Sequence, residues 1–152
     1  MENFVINDIR VSLNQDMLEV GLIILTMVGI DCISGYLAGK PADTNTFKQF
    51  VTSKYFPTAY HTVADDLFQL RNGLVHDYTS KNNMFEFSRR EGEGAPHLQT
   101  INAGQSYPIS LNRETFAKDF LRAWERYSKD VFEDEDLAQR ALARILQKAE
   151  AS

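Results

Sequence analysis

Residues 17 to 38, Met-Leu-Glu-Val-Gly-Leu-Ile-Ile-Leu-Thr-Met-Val-Gly-Ile-Asp-Cys-Ile-Ser-Gly-Tyr-Leu-Ala, are apolar almost all round when wound as a helix. A surface helix shows one apolar stripe and one polar face. A helix without a polar face has to be covered on most sides, so the rest of the chain must be arranged to cover it. Two arrangements satisfy this: a central core helix in a monomer, or a helix shared with a second copy. Gly21, Gly29 and Gly35 permit close backbone approach in either case. The most apolar run within it, Gly21 to Ile30, is shorter than the ~20 residues of a membrane span. The N-terminus carries no basic-then-apolar leader. A soluble, cytoplasmic chain is therefore expected.

A chain of 152 residues predicts one domain, residues 1–152, around one core. A net charge of −5 argues against a protein that coats nucleic acid, while leaving room for a locally basic site. The single cysteine, Cys32, excludes an intrachain disulfide and fits a reducing compartment. No basic residue stands near it in sequence, so it reads as a packing residue.

Around the apolar helix the chain punctuates itself clearly. A short helix precedes it, with a break near Asn14-Gln15. Gly39-Lys40-Pro41 ends it, and Thr44 or Thr46 caps the next, whose inner face is Phe47, Phe50 and Val51. Pro57 closes that helix. Residues 84–88, 97–101 and 107–111 read as short strands of a small hairpin or flap inserted between helices, with the Gly-rich, charged stretch 89–96 as a loop. Asn112 opens a long helix with Phe116, Phe120, Leu121, Trp124, Tyr127 and Val131 on one stripe. Such a stripe can stack bases, but it more often forms core. The acids at 133–136 cap a last helix that packs on the domain or across a dimer. The fold class expected is mainly α: a bundle of four to five helices with a short β flap near residues 84–111.

The chemistry concentrates at residues 65–78, Asp-Asp-Leu-Phe-Gln-Leu-Arg-Asn-Gly-Leu-Val-His-Asp-Tyr. At 100° per residue, Val63, Leu67, Leu70 and Leu74 share one side of this helix. Asn72 and His76 share another, and Arg71 and Tyr78 nearly eclipse. A guanidinium, an amide, an imidazole and a phenol can together hold an anion and move a proton. The plainer reading keeps these groups structural: Arg71 paired with Asp65, Asp66 or an acid elsewhere, and Asn72 and His76 satisfying buried backbone. Asp65 and Asp66 suit a first helical turn without any catalytic role. His61 and Asp65 have i,i+4 spacing but no third ligand, so no metal site and no cofactor are expected.

Arg71-Asn72-x-x-x-His76, continued by Asp77-Tyr78, resembles the R-x4-H-x-Y signature of the HEPN domain family, in the form found in HEPN toxins and defence ribonucleases. The resemblance covers this helix and the helical plan of roughly residues 5 to 130. It implies a metal-independent endoribonuclease acting as a homodimer, with Arg71, Asn72 and His76 of both protomers in one composite site. It further implies RNA as substrate, and an antitoxin partner such as a minimal nucleotidyltransferase, with Tyr78 as a candidate for nucleotide modification or substrate contact. The basic residues Lys81, Arg89 and Arg90 are either a solvated loop or contacts to RNA phosphates. The alternative is a non-catalytic module of the same fold that binds nucleotide, RNA or protein.

Overall fold

A computed structural model describes residues 2–14, 19–76, 84–88, 96–101 and 108–151. The chain is mainly helical, in the order α1 (Glu2–Leu13), α2 (Glu19–Ala38), α3 (Thr44–Val51), a 3₁₀ helix (Thr58–Val63), α4 (Ala64–His76), β1 (Phe85–Ser88), β2 (Gln99–Thr100), β3 (Ile109–Asn112), α5 (Arg113–Glu133) and α6 (Glu135–Glu150).

Helix α2 is the axis. It touches α1, α3, α4, α5 and α6, and its Leu22, Ile23, Met27, Ile30 and Ile33 are buried. Its polar members are reconciled with burial locally. Thr26 Oγ1 donates to the Leu22 carbonyl at 2.8 Å, and Ser34 Oγ to that of Asp31 at 2.9 Å, the usual way for hydroxyls to sit inside a helix. The segment Val20–Ala38 is long and apolar enough to cross a membrane by length and composition. That corrects the shorter estimate drawn from its most apolar run; half of the segment is buried inside the fold.

Close approach on α2 is used within the chain. A Cβ built on Gly29 would lie 2.4 Å from Cζ of Phe120, so α5 lies against the bare backbone there. Gly39 ends α2 with φ +69°, a conformation that costs glycine little. Its N–H donates to the Tyr36 carbonyl and that of Lys40 to the Gly35 carbonyl.

The cap of α3 is Asp43, one residue before the expected Thr44. Asp43 Oδ1 accepts from the Thr46 N–H and Thr46 Oγ1 accepts from the Asp43 N–H, both at 2.8 Å. This reciprocal box leaves Thr46 as a partner of the cap. Its hydrogen bonds hold the Asp43 carboxyl down at about 2. Helix α3 ends at Val51, well before Pro57, which instead opens the 3₁₀ helix.

The three strands form one sheet of order β1-β3-β2. β2 pairs antiparallel with β3, as a hairpin does, whereas β1 pairs parallel with β3, with Phe85 opposite Ile109. The expected flap is thus partly a structural wall: Phe85, Ser110, Leu111 and Asn112 are buried. Residues 102–107, between the second and third expected strands, lie outside the described residues. Asn112 ends β3 and caps α5, its Oδ1 accepting from the Thr115 N–H at 2.9 Å. The aromatic stripe of α5 is core at Phe116, Phe120 and Tyr127, with Trp124, Leu121 and Val131 half-buried. Asp134 caps α6, which packs on α2 and α5 while leaving Leu142, Ile145 and Leu146 more than half exposed.

Replacing Gly29 by Ala tests the α2–α5 approach. The new methyl meets the Phe120 ring, an overpacking cost of about 1–3 kcal/mol that exceeds the helix-propensity gain of about 1 kcal/mol. Urea denaturation of Gly29→Ala should therefore show a net loss of stability, largely cancelled by adding Phe120→Leu.

Candidate functional site

Helix α4 presents Leu67, Leu70 and Leu74 to the core, all 3% exposed or less, while Val63, expected on the same helix, ends the preceding 3₁₀ helix and is also buried. Asp65 and Asp66 occupy its first turn, where the N-terminal helix dipole favours them. Asp65 also pairs with Lys48 of α3. Burial of the leucine side turns Arg71 and Asn72 to the half-buried flank.

There Arg71 meets Asp31 of α2. Nε donates to Asp31 Oδ2 at 2.7 Å, and Nη2 lies 2.6 Å from the same oxygen. Nη1 donates to Oδ1 of Asn72 at 3.0 Å. The guanidinium is thus held edge-on by a carboxylate and steadied by the neighbouring amide. Its side chain is 24% exposed and that of Asp31 is 18% exposed, so the pair is neither sealed nor on the open surface. Burial pushes the Asp31 carboxyl up, and the Arg71 hydrogen bond and charge pull it back without cancelling the rise. Neither Asp65 nor Asp66 is the acid that engages Arg71.

Sequence reasoning does not single out Asp31 as a site residue. The signal was present: it stands alone as a charge in the middle of the apolar helix, and a charge there requires a partner. What the sequence cannot supply is which basic residue the fold brings opposite.

His76 is the last residue of α4, one turn beyond Asn72 along the helix. The side chain of His76 lies outside the described residues, as do Tyr78, Lys81, Arg89 and Arg90. The structure therefore joins Arg71 and Asn72 to each other and to Asp31. Among the described residues no group of three or more His, Cys, Asp or Glu stands together to hold a metal.

A second histidine sits in a polar cluster that sequence reasoning had treated only as the start of a strand. His97 Nδ1 faces the backbone N–H of Asn112 at 3.1 Å and must accept from it. Its proton then lies on Nε2, which donates to Tyr60 Oη at 2.7 Å, and Tyr60 Oη donates to Asp119 Oδ2 at 2.9 Å. The order Asn112 N–H, imidazole, phenol, carboxylate is a complete relay of donors and acceptors. It ties the sheet to the 3₁₀ helix and α5. Burial lowers the His97 pKa, against the pull of Asp119, and pushes the Tyr60 phenol far up, with Asp119 adding to the rise. Each ring nitrogen of His97 is already engaged, which makes the cluster a structural knot.

Comparison with protein-family models, with curated proteins and with solved structures finds no match for this chain.

Two outcomes follow from these pairs. Arg71→Ala strands the Asp31 carboxylate and should cost roughly 2 kcal/mol in urea denaturation, most of it restored by Arg71→Ala/Asp31→Ala. The deficit should shrink as pH falls toward the ordinary carboxyl value of 3.8, because a carboxyl with a raised folded pKa binds its proton more readily folded than unfolded. His97 acts with the opposite slope. Unfolded, it takes up a proton near 6.5; folded, only at lower pH. Its contribution is complete above 6.5 and is lost as pH falls toward its folded pKa, so the thermal midpoint should drop on acidification, with a flatter profile in His97→Gln.

Proposed function

We propose that the chain is a metal-independent endoribonuclease of the HEPN type, built around Arg71 and His76. The observation that carries this reading is the way Arg71 is held. Asp31 takes the Nε–Nη2 edge of the guanidinium and Asn72 takes one N–H of Nη1, so the group stays in fixed orientation while the second N–H of Nη1 and of Nη2 can serve a phosphate. A pre-oriented guanidinium strengthens its grip as charge builds on the phosphorane without reorganising first.

RNA brings its own nucleophile. His76 removes the proton of the ribose 2′-hydroxyl, the 2′-oxygen attacks phosphorus, and the P–O5′ bond breaks. The leaving 5′-oxygen takes a proton, giving a 2′,3′-cyclic phosphate and a 5′-hydroxyl. An imidazole with an ordinary pKa of ~6.5 suits either transfer near neutrality. Separate acid and base are supplied by two protomers across a two-fold axis. Ile24 and Val28 of α2 are half-buried and lie on the helix side that carries Asp31, which gives a second copy an apolar face beside Arg71. Asn72 steadies Arg71, and Tyr78, Lys81, Arg89 and Arg90 are the substrate-contact candidates. On this reading the protein acts in the cytoplasm and is restrained by an antitoxin such as a minimal nucleotidyltransferase.

The same ion pair favours a second reading. Asp31 neutralises much of the charge of Arg71, which suits a non-catalytic module that binds nucleotide, RNA or protein through this flank. Cleavage of a mixed RNA substrate in EDTA separates the two. The unmodified chain should cut to cyclic phosphate ends, and His76→Ala should lose about a hundredfold or more. Arg71→Ala/Asp31→Ala, which removes the ion pair as a unit, should lose activity while remaining folded. If the folded, dimeric protein fails to cut, or if both variants cut as well as the parent, catalysis at this helix is refuted.

A further inference from the structure

Away from the Arg71 flank, a cleft of about 560 Å³ opens between the end of α2, the second half of α5 and α6. Its walls are Trp124, Val131, Phe132 and Ile145. Phe132 is 91% exposed and Ile145 51% exposed at its rim. Its volume falls within the range of small-molecule sites, which are mostly apolar with a few placed polar groups.

The polar groups decide what would fit. Tyr127 is 2% exposed and lines the cleft, yet its buried hydroxyl has no hydrogen-bond partner among the described residues. Ser128, the next residue, also lines the cleft, and its buried hydroxyl likewise has no hydrogen-bond partner among the described residues. A buried hydroxyl left unmatched is destabilising, so two in adjacent residues lining one cleft point to an acceptor that arrives with a ligand. Lys148 also lines the cleft, its ammonium 5.3 Å from the centre of the Tyr36 ring. Burial pushes the Tyr127 phenol up, so it keeps its proton and donates. An apolar helix laid on this face would cover Phe132 and Ile145 but offer the hydroxyls nothing.

We propose that this cleft binds a small amphipathic carboxylate: its aliphatic or aromatic body lies against Trp124, Val131, Phe132 and Ile145, and its head accepts from Tyr127 Oη and Ser128 Oγ beside the Lys148 ammonium.

Decanoate is the probe, with decanol as its neutral counterpart, titrated by calorimetry and by amide shifts of the full-length protein. Decanoate should bind and perturb the amides of α5 and α6, with decanol about tenfold weaker. Tyr127→Phe/Ser128→Ala keeps the aromatic ring, and should weaken decanoate about thirtyfold, the worth of two net hydrogen bonds. Lys148→Met should abolish the preference for acid over alcohol. Absence of decanoate binding, equal binding of acid and alcohol, or unchanged affinity in the double variant would each overturn the assignment. So would a dimer that Phe132→Asp dissociates and decanoate does not, since that face would then be covered by a second copy.

Discussion

A helix without a polar side dictates the rest of this molecule. Because α2 cannot face water along its length, five other helices are disposed around it, and the chain has to supply small residues where two of them meet it closely. Gly29 against Phe120 is the clearest case. Packing at that density leaves little room for adjustment, so positions on α2 that are not hydrocarbon need a specific answer. Thr26 and Ser34 answer with their own helix's carbonyls. Asp31 cannot, since an acceptor has nothing to gain from a carbonyl, and it is answered by Arg71 from another helix.

That difference explains what was legible. Local signals are legible: the Gly39 stop, the Asn112 cap, the leucine side of α4 and the acidic start of α6 each depend on residues close to one another in sequence. The cap of α3 was placed on a threonine because Thr44 and Thr46 are both good caps, whereas the reciprocal bond singles out Asp43. The partner of Arg71 and the knot of Tyr60, His97 and Asp119 depend on residues 40, 37 and 59 positions apart. Periodicity carries no information about such pairs. Nor does it show that β1 joins β3 in parallel, a pairing that passes over β2.

His97 and Arg71 illustrate how chemistry and architecture compete for the same side chain. His97 is committed: both nitrogens are spoken for, and its ring is a strut between sheet and helix. Arg71 is held along one edge by Asp31 and at Nη1 by Asn72, and the proposed chemistry rests on that commitment being partial. A cation satisfied all round is scaffold, and one that is unsupported wanders. Edge-on support by an acid lies between these and resembles the orienting groups behind reactive residues in general.

Asn112 is at once the final residue of β3 and the cap of α5. No loop lies between the strand and the helix. The sheet begins downstream of the helix carrying Arg71, and α5, roughly 30 Å long by its residue count, ends at the cleft floored by Tyr127. One residue thus serves two elements: Asn112 is the register partner of Ser88 in the sheet and the side-chain cap of α5, so the end of the sheet and the start of that helix are settled together.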